Sequence, residues 1–317
     1  MGQYVVRRVL LLIPVLLAVY TLTFILFQLT PGGPWDKEKP LTKQAIQYLN
    51  AKYGLDRPVY VQYFSYLENV VTKFDLGPSY KQTSRTVTEI IGQYFPFSIV
   101  LGFTAMGFAI LIGVPLGIIS ALRHNTLVDQ IAMFLAVIGV SVPTFVIGPI
   151  LIFLISLELG LLPTGGAPTG SALQLLEPRN WQYLVMPAFT LSLLPLAWLA
   201  RYTRAAMLEV IRMDYIRTAR AKGLMEQVVI ARHALKNALI PVVTVAGVLL
   251  AEILVGSFYV EFVFNWPGIG RYFVTSVSNR DYPVLMGTTL LFAGLVAVMN
   301  LIVDLVYAYL DPRIRYS

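Results

Sequence analysis

Six long, almost uncharged apolar runs constrain what this chain can fold into: residues 9–29, 95–122, 131–156, 183–200, 238–259 and 284–310. A bilayer's hydrocarbon core is about 30 Å thick and a helix rises about 1.5 Å per residue, so about 20 residues make one crossing. The fourth run is the shortest and contains Pro187 and Pro195, so its limits are the least defined. Of the 317 residues 57% are hydrophobic and 13% charged, against about a quarter charged in a soluble domain. Lipid offers backbone groups no hydrogen-bond partner, which leaves helices as the simplest way to cross it. The fold class expected is an all-α membrane protein with six transmembrane helices.

Arg7 and Arg8 precede the first run, as in a signal peptide. The run is too long for a signal's apolar stretch, lacks a small-residue cleavage site, and stops at Pro31-Gly32-Gly33-Pro34. It reads as an uncleaved first span halted by backbone chemistry.

Six spans place both termini on one side, and loop charge says which. The connection 201–236 carries Arg201, Arg204, Arg212, Arg217, Arg220, Lys222, Arg232 and Lys236 against Glu209, Asp214 and Glu226. Basic short loops stay inside, so this loop is expected to be cytoplasmic, with Arg7, Arg8, Arg123, Arg313 and Arg315 on the same face. The formal charge of +7 therefore points to a membrane-proximal docking face rather than to nucleic acid. With no cysteine present, disulfides, thiolate metal sites and a cysteine nucleophile are excluded.

Between the first two spans, 31–94 has mixed charge, many aromatics and helical patterns at 42–53 and 59–73. It reads as a folded external insertion, long enough to cross despite its basic residues. Two roles fit: capping the pore or meeting a binding protein, and serving as a structured spacer. The expected division is 1–30 for the N-terminal end and first span, 31–94 for the insertion, and 95–317 for a five-helix core. The stretch 160–180 is rich in Gly, Pro, Thr and Ser and reads as an external loop, with Trp181 and Tyr183 as interfacial anchors. The turn 265–270 is expected on the same side.

The most informative stretch is 214–241. Asp214 is suited to cap a helix, 215–222 is a good helical run, and Gly223 permits a reversal that residues with a Cβ resist. Two short helices joined at Gly223 are predicted. On the first, Ile211, Tyr215 and Ala219 share one side, and Arg217 and Arg220 lie together on another. Fixing topology or touching anionic lipid would take only a few cations near a span. Thirty-odd residues with ordered helix signals point instead to docking.

The run Tyr215-Ile216-Arg217-Thr218-Ala219-Arg220-Ala221-Lys222-Gly223-Leu224 resembles the cytoplasmic EAA loop of ATP-binding-cassette (ABC) importer permeases in its oligopeptide/dipeptide form. The places of the loop's Glu-Ala-Ala hold Arg217, Thr218 and Ala219, so the glutamate's contact does not carry over, whereas Ala219 and Gly223 do. Further matches are Leu29-Thr30-Pro31-Gly32-Gly33-Pro34, Asn50-Ala51-Lys52-Tyr53-Gly54-Leu55, Asp75-Leu76-Gly77-Pro78-Ser79, Pro267-Gly268-Ile269-Gly270 and Leu310-Asp311-Pro312-Arg313-Ile314-Arg315-Tyr316. In order and spacing they cover nearly the whole chain, and they resemble the oligopeptide members, B-type permease, more than the nickel-carrying ones.

The resemblance implies a type I ABC importer permease fold in the bacterial inner membrane. It also implies a second homologous permease, two cytoplasmic ATPases that carry ATP and Mg, and an extracytoplasmic peptide-binding protein. The loop around Gly223 would couple ATPase closure to alternating access, with Tyr215 to Leu224 as the ATPase-coupling residues. No Gly-x-x-x-x-Gly-Lys-Ser/Thr phosphate loop occurs in the chain, so it binds no cofactor of its own on this reading and is not an enzyme. The same assembly carrying nickel or another small solute is the alternative.

Ionisable residues inside spans need partners or water. Glu252 and Asp304 are candidates for the pore; Glu252 equally suits an interhelical hydrogen bond, and Asn300, also a candidate for the translocation path, is most simply interhelical glue. Asp304, near the inner end of its run, suits a backbone or arginine partner. A secondary transporter would use Glu252 and Asp304 as ion sites, but no inverted repeat supports it. His124 and His233 lack metal-ligand spacing, and no catalytic constellation is present, which argues against an intramembrane enzyme. Gly102, Gly107, Gly113, Gly117, Gly139 and Gly148 are expected at close helix contacts. Pro143 and Pro149 are placed to kink the third span.

Overall fold

The computed structural model describes residues 2–35, 42–82, 84–168 and 170–310. Five helices are long and apolar enough to cross a membrane: Val6–Leu29, Val87–Leu122, Pro178–Ile211, Glu226–Val255 and Tyr282–Val303. The third apolar run forms a bent pair, Leu127–Ser141 and Thr144–Glu158, with 102° between the two halves, and counted as one crossing it brings the number to six.

Proline explains the bend. Pro143 disfavours helical geometry in the residue before it, and Val142 is extended at φ −97° and ψ 121°. The helix restarts at Thr144, with the Val146 amide donating to the Pro143 carbonyl at 2.9 Å. Pro149 lies inside the second half without breaking it, so the kink expected of both prolines belongs to Pro143. In the second span the helix widens into a π turn at Ala109–Gly113, just before Pro115, where a missing N–H and a bulky ring commonly force such a widening.

Two of the helices run well past the apolar runs. The fourth span continues to Ile211 and the fifth begins at Glu226, so most of what reads as the cytoplasmic loop 201–236 is helix. Conversely, the fifth span stops at Gly256, and a separate short helix, Phe258–Val263, follows.

The chain forms two compact units, one comprising Met1–Phe97 with Pro267–Ala297 and the other Ser98–Trp266 with the chain from Val298 onward. The second unit is built around the fourth span, 67% of whose apolar stretch is buried inside the protein. Small residues let backbones approach where lipid removes the hydrophobic incentive to associate. A Cβ added to Gly117 would lie 2.5 Å from the Ala200 carbonyl oxygen, and one on Gly113 2.6 Å from that of Leu196. Gly139 approaches the Leu193 carbonyl beside a cluster of Ala136, Ala197 and Ala200. Gly102 meets Leu254, and Gly148 meets Val263 and Phe264, as their glycine spacing suggests. Gly107 is different: nothing lies within 4 Å of a Cβ there, so it makes no close contact. The 160–180 segment is pinned by the Gly166 amide, which donates to the Phe264 carbonyl at 2.8 Å.

The first unit contains the insertion, whose helices Lys43–Tyr53 and Val59–Lys73 lie where the sequence places them. The Thr42 hydroxyl caps the first by accepting from the Ala45 amide at 3.3 Å, and Gly54 ends it at φ +68°. Tyr20, Phe24 and Met286 form a buried cluster with Tyr63 and Tyr66, tying the insertion to the first and sixth spans. The Asp75–Ser79 motif has a structural role that its sequence does not disclose. Asp281, 5% exposed, accepts from the Ser79 hydroxyl and from the Tyr80 and Lys81 amides at 3.0 and 3.3 Å. A buried carboxylate thus organises the turn after the motif.

Candidate functional site

The reversal between the fourth and fifth spans is a compact hairpin. After Ile211 the chain turns through Arg212 and extended Met213, then forms the helix Asp214–Ala221. The Asp214 side chain does not cap this helix. It occupies the first helical position and pairs with Arg217 at 3.5 Å, both side chains being largely exposed, a contact worth little in water. Lys222 and Gly223 close the helix, the Gly223 amide donating to the Arg220 carbonyl at 2.9 Å. Gly223 has φ +78° and open space where a Cβ would lie. Backbone conformation, not crowding, is what calls for glycine here. The predicted second short helix is instead the start of the long fifth span.

Arg220 bridges the two limbs of the hairpin through a bidentate pair with Glu226, at 3.0 Å from Nε and 2.6 Å from Nη2. Beneath it the buried face consists of Ile216 and Ala219, packed on Met207, Val229, Ala234, Ala238 and Ala121. Those residues come from the second, fourth and fifth spans, so three spans hold the hairpin helix. Ile216 is fully buried, which contributes about 1.5–3 kcal/mol. Of the side expected to hold Ile211, Tyr215 and Ala219, Ala219 is buried and Ile211 packs against the same cluster. Tyr215 is 42% exposed, and its hydroxyl accepts from the Asn237 amide at 2.8 Å. Arg217, Thr218, Arg220, Ala221, Lys222, Gly223 and Leu224 are exposed, as are Met213 and Met225. The outer surface is basic and apolar together, with a rigid underside.

A second cluster lies beside it. Arg204, on the fourth span, grips Asp129 through two hydrogen bonds of 2.7 Å. Asp129 also accepts from the Ser120 hydroxyl and the Asn125 amide, the latter at 3.0 Å. Its side chain is 5% exposed and that of Arg204 26%. Sequence reasoning counted Arg204 only as a topology charge and missed Asp129. The available signal was a lone carboxylate at the edge of an apolar run. Arg201, one turn further in, stacks on Trp198 at 4.6 Å.

Glu252 and Asn300 are both exposed, and among the described residues neither makes the interhelical hydrogen bond weighed for it. The Asp304 side chain and the ending at 311–316 lie outside the described residues. Glu261, also missed, is fully buried and accepts from the Ser257 hydroxyl at 2.7 Å.

Six apolar crossings, close glycine contacts and a three-span-anchored hairpin define a multi-pass helical membrane protein. The family of binding-protein-dependent transport system inner membrane components matches residues 113–316, and its N-terminal membrane-component counterpart matches 1–102. The chain belongs to that family. It is 42% identical to the dipeptide transport system permease protein DppB of Bacillus subtilis, covering 99% of this chain and 98% of the relative. It is 39% identical to the oligopeptide transport system permease protein OppB of Haemophilus influenzae, over the full length of both. Those relatives place it in the oligopeptide/dipeptide branch of ABC permeases. The inward-facing structure of the MetNI methionine ABC transporter shares the fold, with a TM-score of 0.55 at 16% identity, covering 71% of this chain and 97% of that one.

Proposed function

We propose that the chain is the pore-forming subunit of an ATP-driven importer of oligopeptides or dipeptides, and that the hairpin around Gly223 couples ATPase closure to alternating access. The observation that carries this reading is the hairpin's construction. Its underside is clamped to three spans through Ile216 and Ala219, while its tip offers Arg217, Lys222, Leu224 and Met225 to a partner. A rigid body with an exposed tip transmits displacement to the helices that hold it. The partners are a second, similar permease, two cytoplasmic ATPases holding ATP and Mg, and an extracytoplasmic peptide-binding protein. Hairpin and both termini face the cytoplasm, and the insertion faces outward.

Peptide as the substrate is supported by the named relatives over the full chain length. The test is Gly223→Val in the reconstituted transporter. A β-branched residue at φ +78° costs at least about 1–3 kcal/mol, so the tip is displaced. Uptake is expected to be abolished while membrane insertion and complex assembly persist. Normal peptide uptake by Gly223→Val would refute the coupling role.

A further inference from the structure

The first unit carries a half-open cavity of about 250 Å³ that the coupling hairpin does not use. Its walls come from Phe24 and Phe27 on the first span, Tyr282 and Met286 on the sixth, and the insertion between Lys52 and Tyr80. Among the described residues that line it, two are cations, Lys52 and Arg57, and none is Asp or Glu.

The local fold builds this charge pattern. Gly54 turns the chain through φ +68°, so Lys52 and Arg57, on either side of that turn, both reach the rim. Gln62 clamps the turn by donating to the Leu55 and Arg57 carbonyls at 3.2 and 2.8 Å. Tyr66 donates to the Leu76 carbonyl at 3.1 Å, and the Asp281 latch fixes the wall around Tyr80. The Tyr66 and Tyr80 phenols are neutral at physiological pH, and burial pushes them further above their ordinary range. The result is an aromatic lining of neutral phenols and two cations, with the Asp75 and Asp281 carboxylates held behind it by the Gly77 and Tyr80 amides.

We propose that this cavity binds the C-terminal residue of a peptide, with Lys52 and Arg57 taking its carboxylate and the tyrosine-lined interior taking its side chain. The proposal rests on the peptide-importer reading and assigns a place where the substrate touches this chain. The polarity of binding follows from the described lining: among those residues a peptide's ammonium end finds no carboxylate, whereas its carboxylate end finds two cations. The size is that of an end rather than of a whole peptide, since sites that enclose drug-sized ligands run to about 300–1,000 Å³. Side-chain selectivity should be broad, because aromatic walls pack many shapes and hydrogen-bond few.

Trp35 supplies the reporter. It is 6% exposed and packs on Tyr53 and Tyr80, both of which line the cavity, at 5.6 Å from each ring. The permease complex, without its binding protein, is placed in nanodiscs of zwitterionic lipid and titrated with the tripeptide Ala-Ala-Phe and with its C-terminal amide. Trp35 emission is followed, and Trp35→Phe gives the blank. Saturable binding of the free acid is expected, about tenfold or more tighter than the amide, as loss of charge-assisted hydrogen bonds implies. The double variant Lys52→Gln/Arg57→Gln should lose that preference, and Lys52→Arg/Arg57→Lys should keep it.

Equal affinity for acid and amide overturns the proposal, as does the absence of a saturable Trp35 signal. So does a response to phosphatidylglycerol in the nanodisc but not to peptide, which makes the cavity a lipid headgroup site. If the neutral double variant fails to assemble, the acid-to-amide ratio of the native complex decides alone. ATP-driven uptake of the same tripeptide by the complete native transporter is run in parallel. Its absence refutes the importer reading, whereas uptake without acid preference at the cavity refutes only this site.

Discussion

Removing both members of the Asp129–Arg204 pair should destabilise the core by less than the sum of the two single removals. Asp129 is almost fully enclosed and receives two 2.7 Å bonds from one guanidinium, plus two from Ser120 and Asn125. Breaking a buried ion pair from one side costs about 3–5 kcal/mol, because the remaining charge stays behind without compensation. Arg204 retains 26% side-chain exposure, so water relieves part of the penalty when Asp129 is neutralised, and about 2–3 kcal/mol is expected for Asp129→Asn. Arg204→Met strands the more deeply buried carboxylate and should cost about 3–5 kcal/mol. The double variant removes both charges, so it should be more stable than the sum of the singles by about 2 kcal/mol. Reversible unfolding of the four proteins by sodium dodecyl sulfate in mixed micelles measures each step. Additivity within about 0.5 kcal/mol would mean the two side chains do not act as a pair, and the reasoning from their geometry would be wrong.

Ile216→Ala should cost about 2–5 kcal/mol locally and loosen the hairpin from its three spans; ATP hydrolysis by the assembled transporter should continue while uptake per ATP falls, and unchanged stoichiometry would count against the rigid-body account. Gly117→Ala should destabilise the chain because the new methyl meets the Ala200 carbonyl at 2.5 Å, whereas Gly107→Ala should be neutral or gain up to about 1 kcal/mol of helix propensity; thermal melting of the two distinguishes them. Asp281→Ala removes the acceptor for the Ser79 hydroxyl and two amides, which should cost about 1–3 kcal/mol per stranded donor and raise proteolytic cleavage between Ser79 and Gln82.

Much of the architecture was legible because lipid imposes a simple rule on composition: the apolar runs mark every crossing, and Gly223 marks the reversal. Helix ends were not legible in the same way. Hydropathy reports where lipid stops, and Arg201, Arg204 and Arg212 made a loop of residues that continue as helix to Ile211. Ile211 and Ala219 pack in one cluster, but the spacing did not disclose that Ile216 fills it as well or that the Tyr215 hydroxyl meets Asn237. Asp129 and Asp281 were missed because each acts through partners distant in sequence, 75 residues to Arg204 and 202 to Ser79. Glu252 and Asn300 drew attention through the cost of polarity in lipid, and both are exposed.

The chain's lack of cysteine allows the coupling claim to be tested with one engineered thiol. Lys222→Cys, at the exposed tip of the hairpin, carries a short photoactivatable cross-linker in the assembled transporter in native vesicles. The account predicts a covalent adduct with the ATPase subunit whose yield changes between nucleotide-free and ATP-bound states. An adduct with lipid alone, or modification of that thiol by an impermeant reagent applied from outside the cell, would contradict it.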